Sequence, residues 1–171
     1  YDNALLSRAY LHAYLLSGNP RFKQVVEETL DFVARELLDE QGGFYASLDA
    51  DSEGEEGKYY LWTAAEIEEI LTDPAAREIF CDFYGVTEAG NFEGKTILRR
   101  HQTLLEAAQK FDLPVEQLQQ VLIESREALL EARSERIRPA TDDKVLASWN
   151  GLMLASFAEA GRCLNRNDYT Q

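Results

Sequence analysis

Five carboxylates fall within nine residues of this 171-residue chain: Asp49, Asp51, Glu53, Glu55 and Glu56, between Asp49 and Gly57. Like charges this close push some of the group's pKa values up unless a cation intervenes. A carboxyl held protonated beside one held ionised is the pairing that general acid–base chemistry on a glycosidic bond uses. Asp49, Asp51 and Glu53 are therefore candidate catalytic groups. Asp142 and Asp143 make a second acidic pair, with Lys144 beside them and Trp149 and Asn150 shortly after. A glycosidase pair stands about 5–9.5 Å apart, a distance set by folding rather than by spacing in sequence. The structural alternatives are a solvated hairpin tip for the first cluster, and helix capping with a surface ion pair for the second.

Metal chemistry fits less well. Asp49, Asp51 and Glu53 occupy positions 1, 3 and 5 of an EF-hand loop and Gly54 position 6, but position 12 is Tyr60, where the loop needs a bidentate Glu. No metal or cofactor is assigned. His12 reads as a core histidine and His101, after Arg99 and Arg100, as part of a solvated basic patch; the two lack metal-ligand spacing. Cys81 and Cys163 have no CxxC partner, which predicts two reduced thiols and a cytoplasmic setting. A formal charge of −14 repels phosphate backbones and anionic lipid, so nucleic acid and membrane surfaces are excluded as main partners. No run approaches the roughly 18 apolar residues of a membrane span. The 45% apolar content, 11% aromatic, is enough to build a core.

These groups need elements to position them. Over residues 3–16, Leu5, Leu6, Ala9, Tyr10, Leu11, Ala13, Tyr14 and Leu15 surround nearly a whole helix, the pattern of a buried one. Gly18-Asn19-Pro20 ends it. Residues 21–38 carry a single stripe, Phe22, Val25, Val26, Thr29, Val33 and Leu37, and predict a surface helix. A buried helix followed by an antiparallel surface helix is the unit of a two-layered ring or solenoid. The aromatic-rich runs 44–48 and 58–62 predict a β-hairpin around the acidic loop. Thr63-Ala64-Ala65-Glu66 is a capping box. Further helices are expected at 74–84, 103–111 and 114–133, the last with a stripe broken at Ser125, and 85–100 reads as loop. The last helix ends at Gly161, is apolar nearly all round, and begins either at Asp142-Asp143 or near Ser148. A shift of 147 residues pairs Asn3 with Asn150, Leu5 with Leu152, Tyr10 with Phe157 and Phe22 with Tyr169, which favours Ser148. It also makes the final residues the start of another surface helix.

If surface helices end where buried ones begin, then Tyr1-Asp2-Asn3, the hairpin 49–62 and residues 142–150 share one end of the assembly. There Tyr59, Tyr60, Trp62 and Trp149 offer stacking faces, and Tyr1, Asp2, Asn3, Lys144 and Asn150 polar contacts, to a bound ligand. The chain opens without Met in a helical pattern, so a piece of a longer protein is expected.

Four blocks, in order, resemble one family. They are Tyr1-Asp2-Asn3-Ala4-Leu5-Leu6; the run from Gly43-Phe44-Tyr45-Ala46-Ser47-Leu48 through the acidic loop to Lys58-Tyr59-Tyr60-Leu61-Trp62-Thr63; Asn91-Phe92-Glu93-Gly94-Lys95; and the run from Arg138-Pro139-Ala140-Thr141-Asp142-Asp143-Lys144 to Trp149-Asn150-Gly151-Leu152. Together they resemble the spermatogenesis-associated-protein-20-like family of thioredoxin-domain-containing proteins, over nearly the whole chain. The resemblance implies a thioredoxin-like domain, absent from these residues, and an (α/α)6 toroid akin to N-acylglucosamine 2-epimerases and six-hairpin glycosidases. No counterpart of an epimerase histidine pair is present.

The expected fold is thus mainly α: about half of an α/α toroid with a small β-hairpin at one end. The expected function is binding or turnover of a carbohydrate-like molecule by the longer protein. The competing class is a non-catalytic module that contacts a partner or the thioredoxin-like domain of its own chain. Half a ring would expose an apolar seam, and self-association through it is expected.

Overall fold

The computed structural model describes residues 1–170. In chain order the elements are α1 (Asp2–Ser17), α2 (Pro20–Glu36), β1 (Ser47–Leu48), β2 (Asp51–Ser52), β3 (Glu55–Glu56), α3 (Ala64–Ile70), α4 (Pro74–Tyr84), α5 (Leu104–Lys110), α6 (Val115–Ser134), β4 (Thr141–Asp142) and α7 (Ala147–Leu164), followed by a 3-10 turn (Asn167–Thr170). The fold is mainly α with small antiparallel strand pairs. The described residues divide into two compact units, the first made of Tyr1–Asp49 and Thr141 onward, the second of Ala50–Ala140.

In the first unit α1 and α2 form a hairpin. Gly18 takes the left-handed conformation (φ 68°), Asn19 caps α2 by accepting from the Arg21 N–H, and Pro20 fills the first helical position, where its missing N–H costs nothing. α7 packs on α1 in parallel. The Ser156 hydroxyl donates to the Ala4 carbonyl at 2.8 Å, and Arg8 and His12 both meet Glu159 (2.9 and 2.8 Å). The core of this unit is Ala4, Leu11, Val26, Leu30, Val33 and Leu37 with Met153, Phe157, Ala160 and Leu164.

α7 repeats the α1 pattern. It stops at Asn165, again left-handed (φ 59°), and the 3-10 turn docks onto α2, where Tyr169 donates to Asp31 at 2.7 Å. The expected end at Gly161 is incorrect. The helix runs through it, because Gly161 is a close-packing position: a Cβ there would stand 2.6 Å from Thr170 Cγ2 and 3.1 Å from the Arg166 carbonyl. A start near Ser148 agrees with the structure, and Asp142 and Asp143 do not cap α7, whose N-cap is Leu146 with no side-chain bond.

Neither α1 nor α7 is buried all round. Leu5, Leu6, Leu15, Leu16 and Leu154 are exposed, Leu16 at 90%. His12 lies outside the core, with its ring half exposed against Glu159.

In the second unit α3, α4, α5 and α6 enclose Ile67, Phe80, Phe83, Ala107, Leu118 and Leu122. Capping boxes open α3 (Thr63 with Glu66) and α5 (Thr103 with Glu106). Ser125 does not break the stripe of α6, since it is buried with it. The strand pairing departs from expectation. Residues 44–48 and 58–62 do not pair with one another; β2 pairs with β3 inside the acidic loop, and β1 pairs with β4. The cause is the turn: Glu53 and Gly54 both have positive φ (56° and 77°), the two-residue geometry that matches strand twist, so the hairpin closes early. Glu93 and Gly94 (φ 47° and 77°) form a second such turn in the segment 85–102. No helix among the described residues is long and apolar enough to cross a membrane.

Candidate functional site

The candidate residues fall into both units. Asp49, Asp142, Asp143, Tyr1, Asp2, Asn3, Lys144, Trp149 and Asn150 belong to the first; Asp51, Glu53, Tyr59, Tyr60 and Trp62 belong to the second.

In the first unit the parallel packing of α1 and α7 brings their N-termini together. The Tyr1 and Trp149 rings stand 4.9 Å apart at an angle of 53°, Tyr1 half exposed. Neither helix has a side-chain cap, so first-turn N–H groups are left open at the same end. Asp2 lies exposed in the first turn of α1 and Asn3 is half-buried behind it. β4 leads into α7, and there Lys144 grips both Asp142 oxygens at 2.7 and 2.8 Å. That ammonium holds the Asp142 carboxyl below the usual carboxylate range. Asp143 is exposed, and its charge helps to raise the Tyr45 phenol, whose main cause of elevation is the hydrogen bond Tyr45 donates to Asp39. Asp49 is exposed at the end of this unit's first segment.

Asn150 is engaged otherwise than the sequence reading expects. Its Oδ1 accepts from the Phe44 N–H at 2.6 Å and its Nδ2 donates to the Phe44 carbonyl at 2.9 Å, as a neighbouring strand would. The amide is the clamp that ties residues 43–48 to α7. Nearby, Gly43 (φ 141°) lets Val145 approach to where a Cβ would be 3.2 Å away.

In the second unit two lysines hold two carboxylates of the acidic loop. Lys58 meets Glu53 at 3.2 Å and Glu55 at 3.3 Å, and Lys95 meets Glu55 at 3.4 Å. The Glu55 carboxyl is lowered in consequence, first by Lys58 and then by Lys95. Asp51 is exposed opposite Glu56 in the hairpin. Among the described residues no group of three or more His, Cys, Asp or Glu side chains is placed to hold a metal ion. Tyr59 and Trp62 are buried, at 6% and 3% exposure, and so are not open stacking faces. Arg136 lies over the Trp62 ring at 3.9 Å, and Arg133 lies over Tyr59 and Tyr60.

Two residues of this arrangement escape sequence reasoning. Arg136 donates through Nη1 to the carbonyls of Tyr59 (3.1 Å) and Leu61 (2.7 Å) and through Nη2 to Glu66 (2.9 Å), tying the 58–62 segment to α3. Lys95 reaches the hairpin from a distant loop. A signal for it exists: Glu-Gly-Lys occurs at 56–58 and again at 93–95, and both lysines converge on Glu55.

Among the described residues every carboxylate with a displaced titration is displaced downward, including Asp142 and Glu55 by lysine neighbours, Glu159 first by its hydrogen bond with His12, and Asp39 and Glu106 by neutral donors. Such groups accept hydrogen bonds or protons; they do not deliver a proton at neutral pH.

No family model matches the chain. It is 36% identical to spermatogenesis-associated protein 20 of Homo sapiens, covering 98% of this chain and 24% of that protein. The same protein of Rattus norvegicus is 35% identical over 96% of the chain and that of Mus musculus 34% over 96%, each again covered to 24%. The chain thus spans about a quarter of the length of these curated relatives. Identity at this level over nearly the whole chain shows that the chain belongs to the spermatogenesis-associated protein 20 family.

Proposed function

We propose that the chain is part of an α/α toroid of helical hairpins, and that the longer protein binds or transforms a carbohydrate-like molecule where α1 and α7 begin. One observation carries this reading: the Tyr1–Trp149 pair, 4.9 Å apart between two uncapped helix N-termini, with Asp2, Asp143 and the Asp142–Lys144 pair in the adjoining segments. Aromatic faces take the C–H faces of sugars, and carboxylates, an ammonium and open N–H groups take their hydroxyls. The toroid reading draws on two parallel helices, each ending in a left-handed cap and a segment returning onto the outer layer. The lowered, ionised Asp142 suits hydrogen-bond acceptance. Two free cysteines, Cys81 and Cys163, fit the cytoplasm. The test is a thermal-shift screen of the longer protein against mono- and disaccharides, repeated with Trp149→Ala and Asp143→Asn. A sugar-dependent shift lost in both variants supports the reading. If no sugar stabilises the parent, it fails.

A second reading has its own support: Tyr59 and Trp62 are buried and the hairpin carboxylates are held by lysines, as in a structural hairpin. On it, the chain is a non-catalytic module that contacts the thioredoxin-like domain implied by the family resemblance. Binding of that domain, expressed separately, to the 171-residue chain is the measurement that favours it.

A further inference from the structure

We propose that the cavity beside the acidic hairpin of the second unit is a binding site for a small, neutral, polyhydroxylated ligand, independently of the reading given to the first unit. The cavity holds about 370 Å³, the lower range of small-molecule sites. Its lining carries three carboxylates, Glu53, Glu66 and Glu135, and three cations, Lys58, Lys95 and Arg136, so the formal charges of the walls cancel within a chain of charge −14. A strongly charged ligand therefore finds no opposite field there.

The engagement of the charges decides further. Lys58 is held by Glu53 and Glu55 at 3.2 and 3.3 Å, Lys95 by Glu55 at 3.4 Å, and Arg136 by Glu66 and main-chain carbonyls. A carboxylate ligand has to break one of these pairs and leave a counter-charge without its partner. A hydroxyl does not, because it donates to the carboxylate and accepts from the ammonium at once.

The remaining wall is apolar, chiefly the exposed Ile137 beside the largely buried Tyr59 and Leu61, and gives the C–H edge of a ring somewhere to lie. The site is also preformed. The Ser52 hydroxyl donates to the Ile137 carbonyl at 2.6 Å, and Arg136 fixes the Leu61 carbonyl at 2.7 Å, so little ordering is needed on binding.

The experiment is a titration of the 15N-labelled 171-residue chain with myo-inositol and methyl glucoside, with glucose 6-phosphate and serine as charged comparators. The expected result is saturable movement of the Glu53, Lys58, Lys95 and Ile137 amides with the neutral probes. Lys95→Met and Glu135→Gln each raise the half-saturation concentration about tenfold, one lost polar contact, with melting unchanged. If either variant melts early, the other carries the comparison. Absence of movement at these amides with both neutral probes, or movement with the charged probes alone, overturns the proposal. Movement confined to the Tyr1 and Trp149 amides overturns it as well, while supporting the reading of the first unit.

Discussion

At Asn150 both ends of one side-chain amide are spent on the main chain of Phe44, at 2.6 and 2.9 Å. A ligand-binding asparagine can be replaced with little loss of stability, whereas this one cannot. Asn150→Ala strands a half-buried N–H and C=O, a cost of about 1–3 kcal/mol. Asn150→Asp keeps the acceptor but sets a carboxylate oxygen against the Phe44 carbonyl, and is expected to lose stability as well. Urea unfolding midpoints check both, and an unchanged midpoint for Asn150→Ala would reject the clamp. Asp142 carries a second prediction, in pH. Its folded carboxyl is lowered, chiefly by the Lys144 hydrogen bond, so its contribution to stability is present above the unfolded value of about 4. It is lost as pH falls through the lower folded value. Lys144→Met is expected to shift the acid limb of a melting-temperature profile upward in pH, by less at high salt because the pair is solvent-screened. An acid limb that does not move removes Lys144 as the cause.

Among the elements, the close approach at Gly161 ties the 3-10 turn to α7. Gly161→Ala sets a methyl 2.6 Å from Thr170 Cγ2 and 3.1 Å from the Arg166 carbonyl. Overpacking of this kind costs about 1–3 kcal/mol. The double variant with Thr170→Ser, which deletes that Cγ2, is expected to recover part of the loss in thermal melts. No recovery would place the strain on the Arg166 carbonyl instead. Glu93 tests the turn: at φ 47° a side chain other than Asn, Asp or Gly is strained by about 1 kcal/mol, so Glu93→Asn should raise the melting temperature. What sequence made legible follows the range of the interaction. Thr63 with Glu66 caps a helix three residues away and is readable, as are Gly18, Pro20 and Pro74 at helix ends. The partners of Ser47 and Leu48 lie almost a hundred residues on, at Asp142 and Thr141, and no local pattern announces them. Gly161 reads as a breaker because its reason, Thr170, is a tertiary contact. Trp62 and Tyr59 read as open faces for the same cause: Arg136 and Arg133, which cover them, come from the other end of the unit. Of the candidate site, the Tyr1–Trp149 end was legible, since the 147-residue shift pairs the two helices that bring it together.

For the whole molecule, apolar exposure and charge pull against each other. α1 and α7 leave Leu5, Leu6, Leu16 and Leu154 exposed, at 48%, 54%, 90% and 61%, while the chain carries −14. Its relatives are about four times as long, and in them further chain is available to cover such positions. In the chain by itself, water-exposed leucines drive association and the net charge opposes it. Raising salt screens the charge with a length falling from about 10 Å at 0.1 M to about 3 Å at 1 M, and leaves the apolar term in place. Self-association of the 171-residue chain is therefore expected to strengthen with salt, where an ion-paired interface would weaken. Leu6→Glu and Leu154→Glu, at positions already in water, should abolish it while leaving the melting temperature within about 1 kcal/mol of stability change. Sedimentation velocity at low and high salt reads all of these. A chain that stays monomeric at 1 M salt would show that the five exposed leucines on these two helices are too dispersed to form an interface.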